Sequence, residues 1–157
     1  MSDKIEEKEF LLKAMKACSG REYCISDLRT MLEKWGADSE ETKEKIIRRL
    51  VAESFIDENR YSRAFALDHF RYSHWGRVKI SMGLRNKRIP EEAIKYGLEA
   101  IDEEEYVALL KKVLVDQKRK IKAKNRFDLK GKLLRHALGK GFESHLVYEE
   151  INSLFSD

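Results

Sequence analysis

The feature that most constrains the fold of this chain is a short pattern that occurs three times. An apolar residue is followed by two acids, two variable residues and an aromatic, and this occurs at Ile5-Glu6-Glu7-x-x-Phe10, Ile56-Asp57-Glu58-x-x-Tyr61 and Ile101-Asp102-Glu103-x-x-Tyr106. Acids after an apolar residue suit a helix start, because carboxylates accept hydrogen bonds from free backbone N–H groups and face the positive end of the helix dipole. We interpret the acids as helix caps, with Asp102 and Glu105 as a capping box, rather than as catalytic carboxylates.

Each copy of the pattern is followed by three predicted helices, which we call a unit. Matching positions of successive units are separated by a nearly constant number of residues. The matching positions are 51 to 53 residues apart: Ala37, Ile89 and Phe142, then Ile47, Leu98 and Ile151, then Leu50, Ile101 and Leu154. A three-helix unit of this length has a small core, so tandem copies must bury their outer apolar faces against one another. The sequence predicts an all-α fold of three tandem three-helix repeats, residues 1–56, 57–101 and 102–157, in an elongated, curved array.

Apolar spacing and breakers predict where the helices of the second and third repeats lie. In the second repeat a first helix runs from Glu58 to about Ser73, and His74-Trp75-Gly76 ends it. The next helix runs from Arg77 to about Lys87 and is expected to turn Val78, Ile80 and Leu84 inward. The longest helix is expected from Glu103 to about Lys124.

Charge is distributed unevenly along the chain, although the net charge is only +4. Residues 1–60 contain 12 basic and 14 acidic side chains, whereas residues 69–90 contain six basic side chains and no acid. Residues 111–140 contain 12 basic side chains and two acids. This segregation predicts an anionic partner for the second and third repeats.

The basic residues of these two stretches are the candidate contacts with phosphates or with an acidic protein surface. The alternative is a solvated helix face, but the acids are not interleaved with the bases as self-pairing would require. Nothing resembles a recognition helix, so base-specific readout is not expected. The candidate contacts are Arg71, Arg77, Lys79, Arg85, Lys87, Arg88, Lys118, Arg119, Lys122, Lys124, Arg126, Lys130, Lys132 and Arg135.

Three aromatic residues, Tyr72, Trp75 and Phe127, lie among these basic residues. They could stack on exposed bases. Packing at helix junctions is the favoured interpretation, because large aromatics at segment ends usually join elements.

No set of residues suggests catalysis. Cys18 and Cys24 stand without a nearby histidine, and the four histidines do not have the spacing of a metal site. No glycine-rich phosphate loop occurs. We therefore expect a protein that is not an enzyme and needs neither a metal nor another cofactor. A signal peptide and a membrane-spanning run are also missing, which favours the cytoplasm.

Three stretches carry a resemblance to a known family: Phe55-Ile56-Asp57-Glu58-x-Arg60-Tyr61-x-Arg63-Ala64-Phe65, Trp75-Gly76-x-x-Lys79-Ile80-x-x-x-Leu84-x-x-Lys87-x-Ile89, and Lys132-Leu133-Leu134-x-x-Ala137-Leu138-x-Lys140-Gly141-Phe142. In these stretches the sequence resembles the RecX family of bacterial regulators of the recombinase RecA. Where that family often has Lys-Gly before the third helix, this chain has Arg88 in the place of the glycine in the second repeat. In the first repeat it has Trp35-Gly36.

The resemblance implies three tandem three-helix repeats and binding to RecA, both free and assembled on single-stranded DNA. It further implies that the protein lodges along the filament groove and limits filament extension, ATP hydrolysis, strand exchange and coprotease action. Weak binding to bare DNA, no membrane partner and a monomeric state complete the expectation. The alternative is an autonomous basic DNA-binding protein that acts without RecA.

Overall fold

The computed structural model describes the backbone of residues 2–156 and the side chains of residues 5–156. Over this range the chain forms α-helices, a single π-helical turn at His69–Ser73 and no strand. The helices are α1 (Ser2–Gly20), α2 (Ile25–Lys34), α3 (Glu40–Ala52), α4 (Glu58–Asp68), α5 (Arg77–Asn86), α6 (Glu91–Glu99), α7 (Glu103–Lys120), α8 (Arg126–Gly139) and α9 (Ser144–Leu154).

The prediction of an all-α chain built from three-helix repeats is confirmed, with α1–α3, α4–α6 and α7–α9 as the three repeats. The repeat boundaries expected at 56/57 and 101/102 stay a prediction. The accessible surface is 10153 Å², whereas a compact monomer of this mass exposes about 8,200 Å². The excess is in keeping with units stacked side by side rather than wrapped around one centre.

Every repeat makes the same turn between its second and third helices. The backbone there enters the left-handed region, with φ of +101°, +61° and +96° at Gly36, Arg88 and Gly141. The next residue is buried and donates its N–H to the carbonyl five residues earlier, at 2.9, 3.1 and 3.3 Å for Ala37, Ile89 and Phe142. This is a Schellman closure, which satisfies carbonyls at a helix end. The predicted match between residues 37, 89 and 142 is thus confirmed.

Helix caps form at two of the three acidic patterns. The Asp57 side chain accepts hydrogen bonds from the N–H groups of Asn59 and Arg60, at 2.9 and 3.1 Å. The Asp102 side chain accepts a bond of 3.0 Å from the N–H of Glu105. Capping by the aspartate is therefore confirmed for the second and third copies of the pattern, whereas the capping box between Asp102 and Glu105 stays a prediction.

The first copy does not start a helix, and that prediction was wrong. Helix α1 already begins at Ser2, because no breaker separates Ser2 from the pattern, so Glu6 and Glu7 lie inside the helix. Ile5 is 62% exposed. The corresponding Ile56 and Ile101 are buried.

The apolar core consists of two clusters. One lies within the first repeat and is built around Leu28, Leu32 and Leu50. The other is shared by the second and third repeats, and Cys24 from the first repeat packs into it. The second and third repeats therefore depend on a common core, as tandem units that are too small to stand alone should.

Three details of the helices differ from the sequence prediction. Helix α7 ends at Lys120, not Lys124, because the backbone becomes extended at Ile121. The chain from His69 to Ser73 is helical as expected, but it forms a π-helical turn. Val78 is 46% exposed, since it lies about 200° around the helix from the buried Ile80.

Candidate functional site

Half of the candidate contact residues in the second repeat are held in ion pairs inside the protein. The pairs are Arg77 with Glu103 and Glu143, Arg85 with Glu91, and Lys87 with Asp27. The Arg77–Glu143, Arg85–Glu91 and Lys87–Asp27 pairs each have a closest N–O distance of 2.7 Å. Arg77 and Lys87 thus pair with carboxylates from another repeat.

Arg77 belongs to a partly buried polar network that joins the second and third repeats. Its guanidinium carbon lies 3.8 Å from the centroid of the Tyr106 ring. The Tyr106 hydroxyl accepts a bond of 3.0 Å from the Arg77 backbone N–H and donates to the Glu143 carboxylate. These contacts give Arg77 a structural role at the junction.

The pKa values of the network follow from these contacts. Burial opposes ionisation of Glu143, but hydrogen bonds from Tyr106 and Arg77 outweigh it and hold the pKa of Glu143 below its usual value. Burial, followed by the hydrogen bond to Glu143, raises the pKa of Tyr106. The network therefore contains a charged carboxylate and a neutral phenol at neutral pH.

A second tie holds the first repeat against the second. Beside the Lys87–Asp27 pair, the Ser26 hydroxyl donates to the backbone carbonyl of Lys87 at 2.8 Å. The Glu58 carboxylate accepts from the Ile25 N–H at 3.3 Å. Lys87 therefore also stabilises a junction between repeats.

The three aromatics behave differently from one another. Trp75 packs at a helix junction, stacked on the His69 ring with centroids 4.0 Å apart, and Lys79 lies 4.8 Å from its centroid. The packing interpretation is confirmed for Trp75. It is wrong for Tyr72 and Phe127, which are 81% and 88% exposed.

The exposure of Tyr72 and Phe127 has a plain cause in helix periodicity. Next to Tyr72, Phe70 takes the buried position in the π-helical turn. On α8 the buried positions are Leu133 and Ala137, four residues apart, and Phe127 does not share their face. Both exposed rings follow a basic residue, Arg71 or Arg126.

Three candidate residues of the third repeat converge on one aromatic ring. The charged groups of Lys118, Arg126 and Lys130 lie 4.7, 5.4 and 5.2 Å from the centroid of Phe155. We call these four residues the Phe155 cluster. Phe155 was not among the residues predicted from the sequence, because the ring meets residues far away in sequence only through the packing of the third repeat.

Lys132, another candidate contact, is engaged inside the third repeat. It pairs with Asp128 at 3.3 Å and donates to the carbonyl of Lys122 at 2.8 Å. A hydrogen bond from the Lys124 backbone N–H, followed by that from Lys132, lowers the pKa of Asp128. The negative charge of Asp128 is therefore already paired with Lys132 of the same helix.

The other candidate residues are exposed. None of them pairs with a carboxylate of residues 5–156, the part of the chain whose side chains are described. They are Arg71, Arg88, Arg119, Lys122, Lys124 and Arg135. Four of the six follow or flank the Phe155 cluster in the third repeat, so this repeat has the larger share of cations available to a partner.

The described residues contain neither a metal-binding group nor a membrane-spanning helix. Nowhere in residues 5–156 do three or more histidine, cysteine, aspartate or glutamate side chains gather as a metal ion would require. Over the same stretch, every helix is too short or too polar to cross a bilayer.

Comparison with known proteins gives consistent matches. The family model described as "RecX, second three-helix domain" matches residues 57–98. Regulatory protein RecX of Prosthecochloris aestuarii (strain DSM 271 / SK 413) is 26% identical over 162 residues, covering 100% of both chains. Regulatory protein RecX of Lactobacillus johnsonii is 24% identical over 133 residues, which are 85% of this chain and 49% of that relative.

Two solved structures share the fold. A crystal structure of regulatory protein RecX has a TM-score of 0.84 at 24% identity and covers 94% of this chain and 73% of the other. RecX from Lactobacillus salivarius has a TM-score of 0.85 at 16% identity, with 98% of each chain covered. The domain model matches the helices of the second repeat and one relative aligns from end to end, so the chain is similar to RecX proteins along its whole length.

Proposed function

We propose that this protein regulates the recombinase RecA. It binds RecA both free and assembled on single-stranded DNA, and it limits filament extension, ATP hydrolysis, strand exchange and coprotease activity. It does so by occupying the filament, without catalysing a reaction of its own. The observation that carries the proposal is the end-to-end similarity to a protein called Regulatory protein RecX.

The arrangement of the repeats supports this proposal. Tandem units with a surface of 10153 Å² present a longer face than a compact protein of the same mass. A long face suits a helical filament, because it can contact successive subunits along a groove. Binding across subunits would oppose both the addition of RecA and the rearrangements that accompany ATP hydrolysis.

The charges support an anionic partner. We assign the contacts to the cations without a carboxylate partner among residues 5–156, which lie mainly in the third repeat. By contrast, Arg77, Arg85 and Lys87 are paired with acids of the protein itself. We therefore assign Arg77 and Lys87 to holding the repeats together, and Arg85 to joining α5 and α6 within the second repeat, rather than to the filament surface.

The test is the ATPase of RecA on single-stranded DNA with substoichiometric amounts of this protein. We expect a lower rate and, by electron microscopy, shorter filaments. A matched control is a variant with Lys118, Arg119 and Lys122 reversed to glutamate, which should act more weakly at equal concentration. If the wild-type protein changes neither the rate nor the filament length, the proposal is wrong.

A second candidate is an autonomous DNA-binding protein, and the exposed Phe127 beside the Phe155 cluster favours it. This candidate predicts tight, strongly salt-dependent binding to bare DNA, because each neutralised phosphate steepens the dependence on salt. It also predicts no effect on RecA. The two measurements together separate the candidates.

A further inference from the structure

We propose that the corner between α7 and α8 is a binding site for single-stranded nucleic acid. Lys118, Arg126 and Lys130 hold the backbone phosphates, and Phe127 stacks on a neighbouring base. The inference rests on the proposed function, because it names the nucleic-acid contact that a regulator bound to a DNA-containing filament would make. It concerns bare single strands as well, so it can be tested without RecA.

Positive charge converges at this corner. Three cations from the end of α7 and the start of α8 lie within 5.4 Å of the centroid of one ring. Like charges at such spacing repel one another. Contact with the face of Phe155 offsets part of this repulsion. A bound anion would offset more of it.

None of the carboxylates of residues 5–156 serves as this anion. No ion pair joins Lys118, Arg126 or Lys130 to an acid of residues 5–156. Asp128, which lies two residues from both Arg126 and Lys130 in sequence, is engaged by Lys132 and by the backbone of Lys124. Phosphate oxygens suit these three cations, because arginine and lysine both donate charge-assisted hydrogen bonds to them.

An exposed aromatic ring at this site favours single strands over duplex. Phe127 is 88% exposed and stands three residues before Lys130 on α8, so the two side chains are neighbours on the helix surface. An exposed ring beside a phosphate site is the arrangement by which proteins stack on unpaired bases. In a duplex the faces of the bases are covered by adjacent base pairs, and the ring would have nothing to stack on.

The connection between the two helices extends the same surface. Lys122 and Lys124 lie in the non-helical segment between α7 and α8, and both are exposed. They would follow the backbone of a strand that leaves the Phe155 cluster. The inferred site is therefore an exposed surface for a chain of phosphates rather than a pocket for one ion.

The first experiment tests stacking with the Phe127→Ala variant. Binding to fluorescein-labelled oligothymidylate is measured by fluorescence anisotropy, and binding to its duplex with oligoadenylate is measured in parallel. We expect the variant to bind the single strand about ten-fold more weakly and the duplex as the wild type does. Tyr96→Ala removes another exposed aromatic, from α6, and should change neither affinity. The inference would be overturned if Phe127→Ala bound the single strand as tightly as the wild type does. It would also be overturned if the variant lost affinity equally for the single strand and the duplex.

The second experiment tests the phosphate contacts through their dependence on salt. A variant with Lys118→Gln, Arg126→Gln and Lys130→Gln is compared with one with Lys16→Gln, Arg48→Gln and Lys95→Gln, which loses the same charge from exposed positions elsewhere. The log–log salt slope for the single strand should fall by about 0.7 for each lost phosphate contact in the first variant and stay unchanged in the second. If the salt slopes of the two variants were equal, binding would depend only on the net charge of the protein, and the inferred site would be wrong.

Thermal unfolding by circular dichroism confirms that each variant is folded before these comparisons. If the wild type does not bind the single strand, the inference is wrong even where RecA is inhibited. If the strand binds at this corner but the RecA ATPase is unaffected, the inference holds and the proposed function fails. The variant that lacks the charges of Lys118, Arg126 and Lys130 could instead lose binding to DNA-free RecA and bind the strand as the wild type does. That result would assign the Phe155 cluster to an acidic protein surface and would also overturn the inference.

Discussion

Gly76 and Gly141 lie so close together that a Cβ atom built on Gly76 would stand 2.4 Å from the carbonyl carbon of Gly141. The Gly76 N–H donates to the Lys140 carbonyl at 2.8 Å, and the Val78 N–H donates to the Gly141 carbonyl at 2.9 Å. The second and third repeats are thus joined through their backbones at a point where only glycine fits.

We expect Gly76→Ala to destabilise the protein by about 2–3 kcal/mol, because the added methyl group would meet backbone atoms that cannot rotate away. Urea denaturation should show a lower midpoint with an unchanged slope. The matched control is Gly131→Ala in α8, where a Cβ atom would meet nothing within 4 Å. This control should stabilise the protein by about 0.5–1 kcal/mol, since alanine favours a helix interior. Equal midpoints for the two variants would contradict the expected clash.

Arg88 occupies a backbone conformation that favours glycine, with φ of +61°. Arg88→Gly is expected to stabilise the folded protein by about 0.5–1 kcal/mol, because relief of the left-handed strain exceeds the extra chain entropy of glycine. The midpoint of thermal unfolding should rise. Arg48→Gly, in the middle of α3, should instead cost about 1 kcal/mol. A fall in stability at position 88 would mean that the Arg88 side chain contributes more than its backbone strain removes.

Stability should decrease at low pH in a way that depends on Glu143. The folded-state pKa of Glu143 is below its usual value, so the ionised carboxylate stabilises the folded protein. This contribution is complete above the unfolded pKa of about 4.3 and is lost as the pH falls through the lower folded-state pKa. Glu143→Gln should therefore cost about 1–3 kcal/mol at pH 7, and the difference from the wild type should shrink towards pH 3. Urea denaturation across this range checks it, and a constant difference would contradict it.

Lys87 and Lys122 are both candidate contacts by sequence, but they should respond differently to loss of charge. Lys87→Gln removes the partner of the partly buried Asp27 and should cost about 1 kcal/mol of stability with little effect on binding to single-stranded DNA. Lys122→Gln should leave stability within about 0.5 kcal/mol, because its side chain is exposed. It should weaken DNA binding. Denaturation and anisotropy on both variants test this division, and the reverse pattern would refute it.

Much of the fold could be predicted from the sequence because the deciding contacts are local. The caps at Asp57 and Asp102 join residues two or three positions apart. The Schellman turn after each second helix joins residues five positions apart. The equal spacing of these turns is therefore visible in the sequence as a repeat. The first copy of the acidic pattern was wrongly predicted to start a helix, because its residues resemble a cap although the helix begins at Ser2.

The candidate site could be predicted only in part. The sequence by itself determined that the second and third repeats are rich in cations, but only the tertiary structure decided which of them are available. The Lys87–Asp27 and Arg77–Glu143 pairs join residues about sixty positions apart, and Phe155 meets its three cations through the packing of α7, α8 and α9. Such contacts depend on how the repeats stack, because the attraction between two charged groups depends on their distance in space and not on their separation in sequence. Local hydrogen bonds fold each repeat, whereas stacking determines which side chains remain for a partner.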